Sequence, residues 1–157
     1  MPNWCENWLV IRSEDQPIQG YIDGWRAVSQ DPELAFSLTS FVPLPSGVRD
    51  HDWFVANWGT KWDADGVEIE ILDERQGCIR FATAWSPPLP AVEALSRRHP
   101  ELELILDFGD PTMDLVGRLS GGGGVMEQTE VPGCSPFAEW YRCMCSDEDA
   151  TDFDEEG

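Results

Sequence analysis

Basic residues are scarce in this sequence. Its 157 residues include 10 Lys and Arg against 30 Asp and Glu, so the formal net charge at pH 7 is −20. Proteins that bind nucleic acid through its phosphates need a basic surface, and anionic membrane surfaces attract basic segments. The composition therefore argues against direct nucleic-acid binding and against attachment to a membrane surface.

Long apolar runs and a signal peptide are also missing. No apolar run approaches the roughly 20 residues of a membrane-spanning helix, and no basic region followed by an apolar stretch opens the chain. The five cysteines are an odd number, and Cys5 and Cys78 lie within apolar segments. Reduced thiols are the simplest interpretation, so we expect a cytoplasmic protein.

Catalytic motifs are absent as well. The run Gly121–Gly124 lacks the Lys-Ser/Thr pair that completes a phosphate-binding loop. No serine or cysteine stands in a pattern with a histidine and an acid that indicates nucleophilic catalysis. Lys61, the single lysine, lies between two tryptophans and is expected to fix its loop through an ion pair or a cation–π contact. We predict that the protein is not an enzyme.

Metal motifs are incomplete. Asp63-Ala64-Asp65-Gly66 resembles the start of a calcium loop, but the ligands that should precede and follow the glycine do not fit. The cysteines at 134, 143 and 145 form no CxxC pair and have no histidine nearby, whereas a zinc site needs four ligands. No metal and no other cofactor is expected.

The order of strand-like and helix-like segments predicts the fold class. Apolar or strictly alternating segments indicate strands over residues 7–12, 67–71, 78–84 and 101–108, with helices beginning after Pro17 and after Pro88. This order is typical of an α+β, ferredoxin-like βαββαβ sandwich with both helices on one face of an antiparallel sheet. Residues 115–119 and 125–131 are expected to add a C-terminal β-hairpin, followed by one or two helical turns over 137–145.

Two parts of the chain differ in composition. Residues 147–157 contain seven acids and no base, which predicts an acidic, disordered tail. Residues 1–146, predicted to form the single domain, still contain 23 acids against 10 bases, a net charge of −13. The acidic excess therefore belongs to the folded body as well as to the tail.

The alternating strands predict where these acids lie. Glu68 and Glu70 point away from the apolar residues of their strand, and Glu103 and Asp107 do the same in theirs. In a ferredoxin-like sheet the second and fourth strands form the two edges. We therefore expect two acidic rows on the helix-free face, with carboxylates about 6.8 Å apart along each strand. The bland alternative is a solvated face whose edge charges prevent aggregation.

Three segments resemble a known family. Residues 1–7 (MPNWCEN), residues 57–64 (NWGTKWDA) and residues 83–88 (TAWSPP), with DLVG at 114–117 as a weaker fourth, are similar to the YubB-type ferredoxin-like family of phage and plasmid proteins. The resemblance covers roughly residues 1–120. It implies the fold and a mobile-element origin in a bacterial host, and it supplies no catalytic residues.

These observations together predict a counter-defence protein of the anti-CRISPR type. A DNA-mimicking acidic surface would occupy the basic DNA-binding subunit of a CRISPR–Cas or restriction complex. Since like-charged faces repel, we expect a monomer. The alternative is an accessory module that binds a protein or small ligand through the tryptophan-rich loops around Trp4, Trp58, Trp62 and Trp85. The predicted partner-binding residues are Asp63, Asp65, Glu68, Glu70, Asp73, Glu74, Glu101, Glu103 and Asp107.

Overall fold

A computed structural model describes residues 4–27, 38, 42, 51–60, 64–113 and 115–144. The predicted tail, Lys61, Trp62, Asp63 and Cys145 lie outside the described residues. The elements are β1 (Trp4–Ser13), α1 (Ile18–Ala27), α2 (His51–Asn57), β2 (Asp65–Asp73), β3 (Gln76–Ala84), α3 (Leu89–Arg98), β4 (Leu102–Asp110), a 3-10 turn (Pro111–Met113), β5 (Leu115–Gly122) and β6 (Val125–Thr129). A further helical segment, here called the C-terminal helix, covers residues 136–144. No described helix has the length and apolar character to cross a membrane.

The six strands form one sheet in the order β2-β3-β1-β4-β5-β6. Each strand is antiparallel to its neighbours, and the central strand β1 pairs with both β3 and β4. The expectation that β4 forms an edge is wrong, because the chain turns back at Pro111–Met113 and β5 pairs with β4 along its length. Among the described strands, the two edges are therefore β2 and β6.

Alternation along the strands places the core between the sheet and helices α1 and α3. Leu9 on β1, Ile79 on β3 and Leu106 on β4 are all buried and belong to one apolar cluster. The helices contribute the buried faces Ile18, Ile22 and Trp25 from α1, and Ala91, Val92 and Leu95 from α3. Burying such side chains contributes about 1.5–3 kcal/mol each. This face of the sheet is called the core face below.

The β5–β6 hairpin depends on its glycines. Gly121 has a φ of +152°, and a Cβ there would collide with the carbonyl oxygen of Val125 on the facing strand. Gly123 and Gly124 form the turn with φ of +64° and +84°, values that other residues rarely adopt. Close pairing of the two strands therefore requires glycine at position 121, and the turn conformation favours glycine at 123 and 124.

The C-terminal helix packs on the sheet face opposite the core, here called the second face. Phe137 is fully buried, and its ring meets the Trp8 ring edge-on at a centroid distance of 5.2 Å. Trp140 lies 6.0 Å from Trp8 on the same side. Helices α1 and α3 lie on one face as predicted, but the expectation that the opposite face is free of helices is wrong for the described chain. Trp8 supplies the reason, because a large aromatic ring between charged residues leaves apolar area for a helix to cover.

Close contacts and capping bonds hold the C-terminal helix in place. The ring of Tyr141 lies on the backbone of β4 at Gly109, where a Cβ would stand 3.0 Å from its Cδ2 atom. The hydroxyl of Ser135 accepts a hydrogen bond from the Ala138 N–H at 3.2 Å, as an N-terminal cap does. Arg142 donates to the carbonyl of Gly133 at 2.8 Å. The helix is thus tied both to the sheet and to the loop before it.

We expect Phe137→Ala to lower the free energy of unfolding by about 3–4 kcal/mol, since it removes a fully buried ring and leaves a cavity over Trp8. Urea denaturation followed by circular dichroism measures the change. Glu139→Ala, on the exposed side of the same helix, is the matched control and should stay within about 0.5 kcal/mol of the wild type. Equal stabilities for the two variants would contradict the packing of this helix on the second face.

Candidate protein-binding surface

A row of charged side chains with one tryptophan at its centre runs across the second face from the edge strand β2 to β5. Successive strand partners place Glu68 on β2 beside Arg80 on β3, then Trp8 on β1, Asp107 on β4 and Arg118 on β5. Residues directly opposite each other on neighbouring strands have side chains in contact range. The row therefore alternates acidic and basic groups around a central tryptophan.

Arg80 on β3 lies beside two acids of β2, Glu68 and Glu70. Its guanidinium carbon lies 4.2 Å from the centroid of the Trp8 ring, a cation–π geometry. Its Nη2 atom also lies 3.6 Å from Oε2 of Glu70, with both side chains well exposed. Exposed pairs of this kind contribute about 0–1 kcal/mol, so Arg80 lowers the local negative charge without fixing Glu70.

Asp107 is buried and neutralised, contrary to its predicted role as an exposed partner-binding acid. Only 7% of the residue is accessible. The guanidinium of Arg118 on β5 donates two hydrogen bonds to the Asp107 carboxylate, from Nε to Oδ1 at 2.5 Å and from Nη2 to Oδ2 at 2.9 Å. The carboxylate raises the pKa of Arg118 above its usual value. The prediction failed because Arg118 comes beside Asp107 only through the β4–β5 pairing.

The other predicted acids of β4 are exposed but have partners. Oε1 of Glu103 lies 3.4 Å from Nη1 of Arg12 on β1. Just before β4, Glu101 accepts a hydrogen bond from the Tyr21 hydroxyl at 3.2 Å, and its Oε1 lies 3.3 Å from Nδ1 of His99. Hydrogen bonds to its carboxylate hold the pKa of Glu101 below its usual value, the backbone amide contributing most. The predicted second acidic row is therefore a series of compensated charges inside the sheet.

The β2 acids differ from those of β4. Asp65, Glu68, Glu70, Asp73 and Glu74 are all exposed along the edge strand and its turn, and together they are called the β2 acidic edge. Within the described part of the chain, only Glu70 of these five lies within 4 Å of a basic nitrogen. Asp63, the ninth predicted residue, lies outside the described residues. The structure thus brings together one of the two predicted rows, and of its five described acids only Glu70 has a basic side chain within 4 Å.

Glu6 is an acid of the second face that the site prediction missed. It lies two residues before Trp8 on the same face of β1 and is half-buried. Burial raises its pKa, and the nearby Glu68 carboxylate adds to the rise, whereas a hydrogen bond from the Trp8 side chain and the charge of Arg80 oppose it. No spacing rule singles out Glu6, because its burial arises from the tertiary packing around it.

Of the tryptophans in the tryptophan-rich loops, Trp58 packs into the core. Trp58 is 1% exposed, stacks on Phe54 at 4.8 Å and donates its Nε1–H to the carbonyl of Val42 at 3.0 Å. Trp4 and Trp85, by contrast, are 38% and 41% exposed. Trp58 therefore has a structural role and is not a ligand-stacking surface.

A buried polar network connects the three sequence strings that carry the resemblance. Asn7 donates from Nδ2 to Oγ1 of Thr83 at 2.9 Å, and the Thr83 hydroxyl donates to the carbonyl of Ser86 at 2.7 Å. The hydroxyl of Thr60 donates to the Ala84 carbonyl at 2.7 Å, and that of Ser86 donates to the Gly59 carbonyl. Buried polar groups without such partners would cost about 1–3 kcal/mol each. The described polar residues of these strings, Asn7, Thr60, Thr83 and Ser86, are therefore explained by folding.

The two buried thiols, Cys5 and Cys78, lack the features of catalytic nucleophiles. Burial raises the pKa of Cys5 to about 12, and burial also raises the pKa of Cys78. A reactive cysteine has a lowered pKa and partial exposure. Among the described residues, no three His, Cys, Asp or Glu side chains form a group suited to a metal ion.

Comparisons with known proteins agree on the fold. Residues 57–150 match the family described as the ferredoxin-like domain in Api92-like protein. The chain is similar to the crystal structure of the protein api92 from Yersinia pseudotuberculosis, with a TM-score of 0.61 and 10% sequence identity over 87% of this chain and 100% of that chain. At this identity the likeness shows the fold alone. No curated protein matches the sequence significantly. The prediction of a ferredoxin-like fold is therefore confirmed. The matched family is the Api92-like one and not the YubB-type family of the resemblance.

Asp107→Asn should destabilise the protein by about 3 kcal/mol, because it leaves the mostly buried Arg118 guanidinium without its counter-charge. Glu103→Gln, which removes the exposed Arg12 pair on the same strand, is the control and should cost less than about 1 kcal/mol. Thermal and urea denaturation of both variants test the difference. Equal losses would mean that the Asp107–Arg118 pair is as weak as an exposed one.

Glu6→Gln should be more stable than the wild type at pH 7. The folded-state pKa of Glu6 lies above the unfolded one, so its ionisation costs stability once the pH exceeds the folded-state value. The cost disappears below the unfolded pKa, near 4.3. The advantage of the variant, measured as the difference in unfolding free energy, should therefore shrink as the pH falls from 7 to 4. If the stability advantage of Glu6→Gln grew as the pH fell from 7 to 4, the raised pKa of Glu6 would be contradicted.

Proposed function

The chain belongs to the family of ferredoxin-like domains in Api92-like proteins, and from its described surface we propose that it is a non-enzymatic inhibitor that docks the β2 acidic edge against a basic, DNA-binding surface of a partner protein. The proposal takes β1-α1-β2-β3-α3-β4 as a ferredoxin-like unit, with β5 and β6 as a hairpin extension. A bacterial DNA-binding defence complex of the CRISPR–Cas type is the first partner to test, and the cytoplasm is the proposed location.

The observation that carries the proposal is the uneven compensation of charge. The acids of β4 are paired with Arg12 and Arg118, or hydrogen-bonded by Tyr21, and therefore attract a partner weakly. On β2, Glu68 and Glu70 project from the same face of an edge strand, about 6.8 Å apart. Charges at that spacing are of the order of phosphate separations along a nucleic-acid strand. Opposite charge on the partner would speed association and make it sensitive to salt.

The tryptophan-loop alternative has less support. Of its four tryptophans, Trp58 is buried within the fold and donates its indole N–H internally. Trp4 and Trp85 remain exposed enough to contact a partner. This alternative predicts binding that depends on apolar area and not on charge, so salt dependence distinguishes the two.

Glu68→Lys combined with Glu70→Lys should abolish binding to a purified CRISPR effector and restore the effector's capacity to bind duplex DNA. The matched control is Glu127→Lys combined with Glu130→Lys, at and just beyond the opposite edge strand β6, because it makes the same change in net charge. Titration calorimetry and DNA-displacement assays at low and high salt measure both pairs, with thermal denaturation confirming that the variants fold. Full inhibition by the Glu68→Lys, Glu70→Lys variant would overturn the proposal. Equal loss of binding in both double variants would mean that net charge, and not the β2 acidic edge, determines binding.

A further inference from the structure

The β2 strand has a free backbone edge within the described sheet, in addition to its acidic side chains. β2 has nine residues and pairs with β3 on one side, and no other described strand pairs with its opposite side. An edge strand directs alternate backbone N–H and C=O groups outward, ready to pair with another extended chain. Resting on the proposed function, we infer that β2 binds its partner by strand addition, taking up a short extended segment in which basic and apolar residues alternate.

The register of β2 limits where such a segment can pair. The pairing with β3 is regular from Glu68 to Ile71, and irregularities occur between Asp65 and Glu68 and between Ile71 and Asp73. Irregularities bend a strand and interrupt its hydrogen-bond pattern. The pairing segment is therefore short, about four to six residues, centred on 68–71.

The side chains of residues 68–71 determine which residue types an added partner strand should carry at each position. Glu68 and Glu70 lie on the second face, whereas Ile69 and Ile71 lie on the core face, where Ile71 is 45% exposed. Residues of an added strand alternate in the same way. Lysine or arginine would lie beside the glutamates, and apolar residues would cover the two isoleucines.

A second copy of the chain fits this edge poorly. Antiparallel pairing of two β2 strands would bring the Glu68 and Glu70 pairs of both copies together on one face, and like charges directly opposite are destabilising. A basic extended arm gives attraction at the same positions. Basic arms that lie along phosphates are common in nucleic-acid-binding proteins, which agrees with the partner class of the proposed function.

A capped seven-residue peptide, acetyl-Thr-Lys-Val-Arg-Val-Lys-Thr-amide, is the probe. We expect it to bind the full chain, to protect backbone amides within residues 68–71 from hydrogen exchange, and to leave those of β6 unchanged. Two N-methylated versions, each blocking the backbone N–H groups along one edge of the peptide, keep every charge and side chain. The version blocked on the pairing edge should bind about tenfold more weakly than the other. The Glu68→Lys, Glu70→Lys variant should bind neither.

Three outcomes would overturn strand addition. Equal binding of both N-methylated peptides would mean that side-chain charge alone holds the partner, which leaves the proposed function intact. Protection of β6 in place of β2 would assign pairing to the other edge. Concentration-dependent dimers in sedimentation experiments, with β2 amides protected in the absence of peptide, would make a second copy the occupant. Failure of the proposed function is read separately, from the effector-binding assay.

Discussion

Trp8 is the contact on which the second face of the sheet depends. The core face is covered by two amphipathic helices, as expected for alternating strands. The second face carries charged residues, and Trp8 supplies a large aromatic surface among them that a helix can cover. Trp8 contacts Arg80 on one strand and the rings of Phe137 and Trp140 above it. Because the helix covers part of this face, the remaining acids are divided between a shielded centre and an exposed edge.

This division decides which charges stabilise the fold and which remain free to bind. The Asp107–Arg118 pair has little exposure and two hydrogen bonds, so removing one member leaves a poorly solvated charge. The acids of the β2 acidic edge are exposed to water and contribute little to stability. Their replacement is therefore expected to change the net charge, and the proposed binding with it, without a large change in folding, which is why charge reversal there is an informative experiment.

Local pattern predicted the elements better than their arrangement. The strict alternation around Val67 and Ile69 indicated a strand, and both residues are half-buried against the core. Helix α2 was missed because its seven residues are too short for a clear periodic pattern and its stability comes from tertiary contacts, such as the stack of Phe54 on Trp58. The helix after residue 135 was predicted, but its position on the second face was not.

Prediction of the site failed where it depended on pairing between strands. A row of acids along one strand predicts exposure only when the neighbouring strands supply no bases. Arg12 lies 91 residues from Glu103 and Arg118 lies 11 residues from Asp107, yet β1 and β5 bring these arginines beside the acids of β4. β2 escaped this error because β3 is its one neighbour among the described strands, and β3 carries one arginine, Arg80, which lies near Glu70.

Protection against aggregation is insufficient to explain the charge of the β2 acidic edge. Both edge strands leave backbone groups without a strand partner among the described residues, β2 over nine residues and β6 over five, so both need protection. β6 meets this need with five residues and one acid, Glu127. β2 already has irregular pairing near both ends, which blunts an edge, and still carries five acids within ten residues. Additional like charges raise the self-repulsion of the folded chain. Self-repulsion that remains after the edge is protected is better explained by a partner of opposite charge. This argument favours the β2 acidic edge, over the rest of the acidic surface, as the proposed binding site.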